Sequence, residues 1–117
     1  VTLFHAGHEL IPILVPNEAH HTIRAAMFNL GYLPGGDKHR TTSPSTTLAA
    51  ADAAVQLLIP GGRITIVAYT GHPGGKDECE MISNWSACLP ANNYKTSIES
   101  LQDTHQHAPQ LIIIEKQ

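Results

Sequence analysis

Apolar residues fall in short runs, each ending in a cluster of glycine, proline or polar residues. Residues 1–4 (VTLF) read as a brief strand, followed by the polar loop 5–9 (HAGHE). Residues 10–15 are largely apolar, but Pro12 and Pro16 restrict any helix there to a turn or two. A polar connector, 17–22, leads into a second run in which Ile23, Ala25, Ala26, Met27 and Phe28 suit a strand covered on both faces. The chain then turns through Asn29, Gly31, Pro34, Gly35 and Gly36.

The clearest helix lies in 41–62 (TTSPSTTLAAADAAVQLLIPGG). Ser43 suits the N-cap, Pro44 the first helical position, and Leu48, Ala51, Val55, Leu58 and Ile59 recur at helical spacing before Pro60-Gly61-Gly62 ends the run. Residues 63–69 (RITIVAY) form a second buried strand that empties into a glycine loop, 70–75. A further helix over 76–89 places Cys79, Ile82, Trp85 and Leu89 on its apolar face. Its first turn carries Asp77, Glu78 and Glu80, where negative charge complements the dipole. Residues 94–101 alternate as a half-exposed strand, and 111–115 (LIIIE) form a last buried one.

From residue 23 the order is strand, helix, strand, helix, strand, strand. That is one domain over 1–117 of α/β class, half of a doubly wound sheet with parallel strands and helices, ending in an antiparallel hairpin. In such sheets ligands collect at the carboxyl ends of the strands, where the loops after residues 28 and 69 fall.

Composition narrows the classes without choosing among them. A chain of 117 residues with 42% hydrophobic and 15% charged residues is an ordinary globular one, and its net charge of −3 gives no basic field for non-specific grip on nucleic acid. An RNA substrate therefore needs local contacts. Cys79 and Cys88 are too few for a disulfide framework and do not have a zinc-knuckle spacing. No apolar run reaches the roughly 18–20 residues that span a bilayer, and no signal segment opens the chain. A cytoplasmic protein without membrane association is expected.

Five stretches, FNLGYLPGGDK (28–38), TTLAA (46–50), LLIPGG (57–62), GHPGG (71–75) and LIIIEK (111–116), carry a resemblance. Together they are similar to class I S-adenosylmethionine methyltransferases of the family once labelled rRNA methylases. Its members are understood to methylate 5-aminomethyluridine at the tRNA wobble position. The resemblance covers nearly the whole chain and implies a partial Rossmann-like sheet. It also implies S-adenosylmethionine as cofactor and the tRNA anticodon region as partner. The family's opening unit, two strands with an acidic, glycine-rich donor loop, has no counterpart here, and 100–108 match no motif.

The resemblance also implies roles. NLGY is similar to the Asn/Asp-Pro-Pro-Tyr loop of amino-methylating enzymes, in which the asparagine oxygen and a following carbonyl accept the amine N–H bonds. Asn29 and the Leu30 carbonyl take those places, Gly31 permits close approach, and Tyr32 packs on the base or the methyl group. Asn29 and Gly31 also border the cofactor. The alternative is a tight turn in which Asn29 bonds its own backbone. Pro34, Gly35, Gly36, Asp37 and Lys38 are expected over the substrate, with Lys38 or Arg40 on a phosphate; the alternative is a solvated loop. Tyr69, His72, Gly74 and Gly75 line the same rim, with His72 near the amine or the nucleotide. His5, His8 and Glu9 border the cofactor adenine, against the alternative of a polar surface turn.

Rival chemistries fit less well. GHPGGK has three residues between its outer glycines where a phosphate loop has four, and Asp77 stands where Ser or Thr binds Mg²⁺. No nucleophile elbow or paired cysteine and histidine is present. The histidine pairs His5/His8, His20/His21 and His105/His107 raise a metal-binding alternative, but none forms a metal motif, and no metal is assigned. A non-catalytic, partner-binding relative is the third reading. Without the family's first two strands, the edge beside 23–29 is expected to be bare. That predicts a longer polypeptide, edge pairing in a homo-oligomer, or an unusual dock for 1–4, with weak S-adenosylmethionine binding by this chain alone.

Overall fold

The computed structural model describes residues 3–30, 43–71, 74–100 and 109–117. Four strands form a single sheet in the order β1-β2-β4-β3: β1 (Ile23–Leu30), β2 (Leu58–Ala68), β3 (Tyr94–Ser100) and β4 (Gln110–Lys116). β1 and β2 are parallel, with Asn29 opposite Val67 and Leu30 opposite Ala68. β4 runs antiparallel between β2 and β3, so the chain closes in the hairpin its pattern predicts.

Helices α2 (Pro44–Leu57) and α3 (Gly75–Ala87) follow β1 and β2 respectively, and both pack on the same face of the sheet. There Phe28 and Leu30 meet Ile64, Ile66, Ala68, Ile112 and Ile114 from the sheet, and Ala50, Ala51, Ala54, Val55, Cys79 and Ile82 from the helices. Alanines along α2 let its backbone sit close over the strands. The expectation that β1 is covered on both faces is not met: Ala25 and Asn29 are exposed and Met27 is 80% exposed. The outward residues of β1 include apolar ones, so its sequence lacks the alternation that would have revealed a one-sided strand.

The boundary between α2 and β2 also differs from the sequence pattern. The helix ends at Leu57, and Leu58 already belongs to the sheet. Ile23 opposes Leu58 and Ala25 opposes Arg63, so the stretch containing Pro60-Gly61-Gly62 bulges out of the ladder. Gly61 takes a φ of +85°, and a Cβ on Gly62 would sit 2.8 Å from the Ile59 carbonyl oxygen, so both positions need glycine. The expected helix end is therefore an irregular strand start. Lys116 ties it down by donating from Nζ to the Leu58 carbonyl at 3.0 Å.

The brief strand expected over 1–4 is absent where it is described: Leu3 and Phe4 lie in no strand and are 89% and 53% exposed. After them come a 3-10 turn (His8–Leu10), α1 (Ile11–Leu14) and a second 3-10 turn (Asn17–Ala19). The prolines hold α1 to one turn, as expected. β3 is exposed along its length except for a half-buried Tyr94, as befits an outer strand of the sheet.

Candidate active site on the rim of the parallel strands

Because β1 and β2 are parallel and in register to their last residues, their carboxyl ends open on one rim. The Leu30 carbonyl accepts the Tyr69 N–H at 3.3 Å, extending the ladder one step beyond β2 and joining the two turns that leave it. Asn29, opposite Val67, and Tyr69 thus both lie at the carboxyl ends of the parallel pair. Leu30 is 1% exposed, with its side chain in the core. Among the described residues, Tyr69 is the one loop partner of its carbonyl, which uses one of the oxygen's two lone pairs. Asn29, one residue earlier, presents its side chain on the exposed side of the sheet.

A half-open cleft of about 390 Å³ runs along β1, the end strand of the sheet among the described residues. Its lining includes consecutive residues of the strand, Phe28 of the inner face and Met27 and Asn29 of the outer one. The N-terminal segment supplies His8, Ile11 and Val15, and α2 supplies Ala54 and Leu57. The His8 and Phe28 rings stand 6.1 Å apart and tilted by 47°. His8 is thus brought to the site; His5 and Glu9 are exposed and do not line the cleft. Apolar walls around one amide and one imidazole suit a nucleoside-sized group, and the volume falls within the ordinary range of ligand pockets.

At the second turn, Tyr69 is half-buried, Gly74 caps α3 with a φ of +80°, and Gly75 is buried as its first residue. A side chain at Gly74 would be strained by the backbone alone, since nothing lies within 4 Å of a Cβ there. Gly31, Tyr32, Pro34, Gly35, Gly36, Asp37, Lys38, Arg40 and His72 lie outside the described residues.

Other candidate chemistries find little. Among the described residues no group of three His, Cys, Asp or Glu side chains converges as a metal site requires. The His20 ring Nε2 lies 3.0 Å from the Val15 carbonyl oxygen, a local hydrogen bond, and His105 and His107 lie outside the described residues. Burial pushes the Cys79 thiol up from its ordinary value, against an opposing hydrogen bond with Ser83, so it is not poised as a nucleophile. No helix among the described residues is long and apolar enough to cross a membrane.

Sequence reasoning missed one buried polar pair. Glu78, read only as an acid of the first turn that complements the α3 dipole, is 2% exposed and accepts a hydrogen bond from buried Thr47 at 2.8 Å. Nothing in the local pattern marks it, because its partner is 31 residues away on another helix.

A parallel pair continued by an antiparallel hairpin, with an asparagine on the shared rim, is part of a class I methyltransferase sheet. The chain belongs to the family described as "Putative rRNA methylase", whose model matches residues 1–115. It is 44% identical over 94 residues to the Arabidopsis thaliana protein named tRNA (mnm(5)s(2)U34)-methyltransferase, chloroplastic. That match takes in 80% of this chain but 34% of the relative. Among solved structures, the "putative rRNA-methylase" from Clostridium thermocellum matches 100% of this chain with a TM-score of 0.90 and 33% identity. A "putative methyltransferase" from Streptococcus mutans, crystallised in complex with SAH, matches with a TM-score of 0.86 and 33% identity. The chain spans 61% of each of those two structures, and about a third of the Arabidopsis protein.

Proposed function

We propose that this chain forms the acceptor side of an S-adenosylmethionine-dependent methyltransferase that methylates the exocyclic amine of 5-aminomethyluridine at the wobble position of tRNA. The observation that carries the reading is the placement of Asn29: exposed, at the carboxyl end of β1, one residue before the carbonyl that accepts from Tyr69, and among the residues lining the edge cleft. The relationship to the Arabidopsis protein supports the choice of substrate.

The donor supplies an electrophilic methyl carbon on a sulfonium. The amine nitrogen bonds to that carbon through its lone pair, the carbon–sulfur bond breaks with its electrons passing to sulfur, and the nitrogen's surplus proton leaves to solvent. What the protein contributes is alignment and exclusion of water. Asn29 Oδ1, an acceptor with no charge to neutralise the amine, holds an N–H of the unprotonated form and so aims its lone pair. The second lone pair of the Leu30 carbonyl takes the other N–H, while its first stays with Tyr69 and keeps the oxygen fixed. His8, Phe28 and Met27 border the donor at the edge of β1. The family resemblance assigns Tyr32, residues 34–38 and His72 to the acceptor nucleotide, together with Gly74 and Gly75 at the start of α3.

The test uses the full-length protein, S-adenosylmethionine and an anticodon stem-loop carrying 5-aminomethyluridine, with the product read by nucleoside mass spectrometry. Gain of one methyl group on the side-chain nitrogen is expected, and Asn29→Ala should lower turnover by about 100-fold or more, since loss of alignment alone costs that much. A methyl group on a ring carbon or ribose oxygen refutes the substrate. Unchanged turnover in Asn29→Ala refutes the assignment of Asn29.

A further inference from the structure

We infer that Thr47 and Glu78 are positioning residues that lock the starts of α2 and α3, with their N-caps Ser43 and Gly74, together. The inference rests on the methyl-transfer reading for its kinetic consequence and on the structure alone for its mechanical one. The two residues occupy equivalent places. Each is the fourth residue of its helix, and each closes the first helical turn onto the N-cap carbonyl: Thr47 N–H to Ser43 at 2.9 Å, Glu78 N–H to Gly74 at 3.0 Å. Between them the Thr47 hydroxyl donates to Glu78 Oε2 at 2.8 Å, with the residues 1% and 2% exposed.

A carboxylate and a hydroxyl are poor choices for sealing a helix contact, because both must be stripped of water. Two apolar side chains would fill the space equally well. They would also tolerate sliding, whereas a buried hydrogen bond fixes one distance and one rotation. The fixed points are functional ones. Ser43 is where the segment leaving β1 lands, and Gly74 is where the turn leaving β2 lands. A slip of either helix start would move Ser43 relative to Gly74, and with it the chain that connects each to the sheet, while leaving the core strands paired.

Thr47→Val removes the donor at nearly constant shape, and Thr47→Ser keeps it. In the full-length protein, Thr47→Val should lower kcat about 10- to 100-fold while KM for the stem-loop changes less than about threefold, since alignment is lost and binding is not. Thr47→Ser should restore kcat to within about threefold of the wild type. Independently of activity, amide hydrogen exchange in Thr47→Val should accelerate at Thr47, Leu48, Glu78 and Cys79, while Ala54, Val55 and Ser86 keep wild-type rates. Thr47→Ala is the second donor-free variant, read in the same way if Thr47→Val does not fold. An unchanged kcat in a donor-free variant, or exchange that rises evenly along both helices or not at all, overturns the inference. A wild-type protein with no methyl transfer but localised exchange in the donor-free variant refutes the function proposed above and sustains the mechanical lock.

Discussion

The two faces of the sheet differ more than the strands that make them. On the inner face Ile64, Ile66, Ile112 and Ile114 are fully buried beneath α2 and α3, whereas on the outer face Met27 is 80% exposed and Asn29 is open. Strand alternation sends successive residues of one segment to opposite fates, so Phe28 and Leu30 are buried in the core while Asn29 between them is exposed. Core and surface thus alternate within three consecutive residues, and, with Asn29 in its proposed role, substitutions on the two faces should fail in different ways.

The largest effect on folding is expected at the inner face. Ile66→Ala, on a strand paired on both sides, should cost about 2–5 kcal/mol in urea unfolding of the full-length protein, because the site is closed and the vacated volume collapses only in part. A loss well under 1 kcal/mol would mean that the inner face is not the core. At the outer face Met27→Thr should change stability by no more than about 0.5 kcal/mol, since its side chain has few contacts to lose. A cost above 2 kcal/mol would show that this face is covered in the full-length protein. The smallest effect belongs to Arg63 and Glu115, whose 3.1 Å ion pair spans the β2–β4 ladder at 57% and 37% side-chain exposure. Arg63→Ala should shift unfolding by less than about 1 kcal/mol, diminishing further in high salt. Asn29→Ala sharpens the contrast from the other direction: activity lost, melting temperature kept.

Much of this was legible in the residues. The order of elements from residue 23, the parallel pair and the closing hairpin followed from runs of apolar residues and their glycine and proline stops. Those signals are local, and local backbone chemistry reads them faithfully. Pro44 at the first position of α2 and the one-turn limit on α1 are further cases. The expected strand at residues 1–4 is a counterexample where it is described, because a strand needs a neighbour to bond with and Leu3 and Phe4 have none assigned.

Sequence by itself determined the order of strands and helices from residue 23, though not the boundary at Leu58, and through the NLGY stretch it marked Asn29 as the residue to watch. Only the tertiary structure decided that α2 and α3 share one face, that Asn29 is exposed between two buried neighbours, that His8 reaches its cleft while His5 and Glu9 do not, and that Glu78 is an interior acid bonded to Thr47. The reason is range. Periodicity reports what a residue's near neighbours along the chain require, whereas burial, pairing and the sharing of a rim are set by segments tens of residues apart, whose meeting no local pattern encodes.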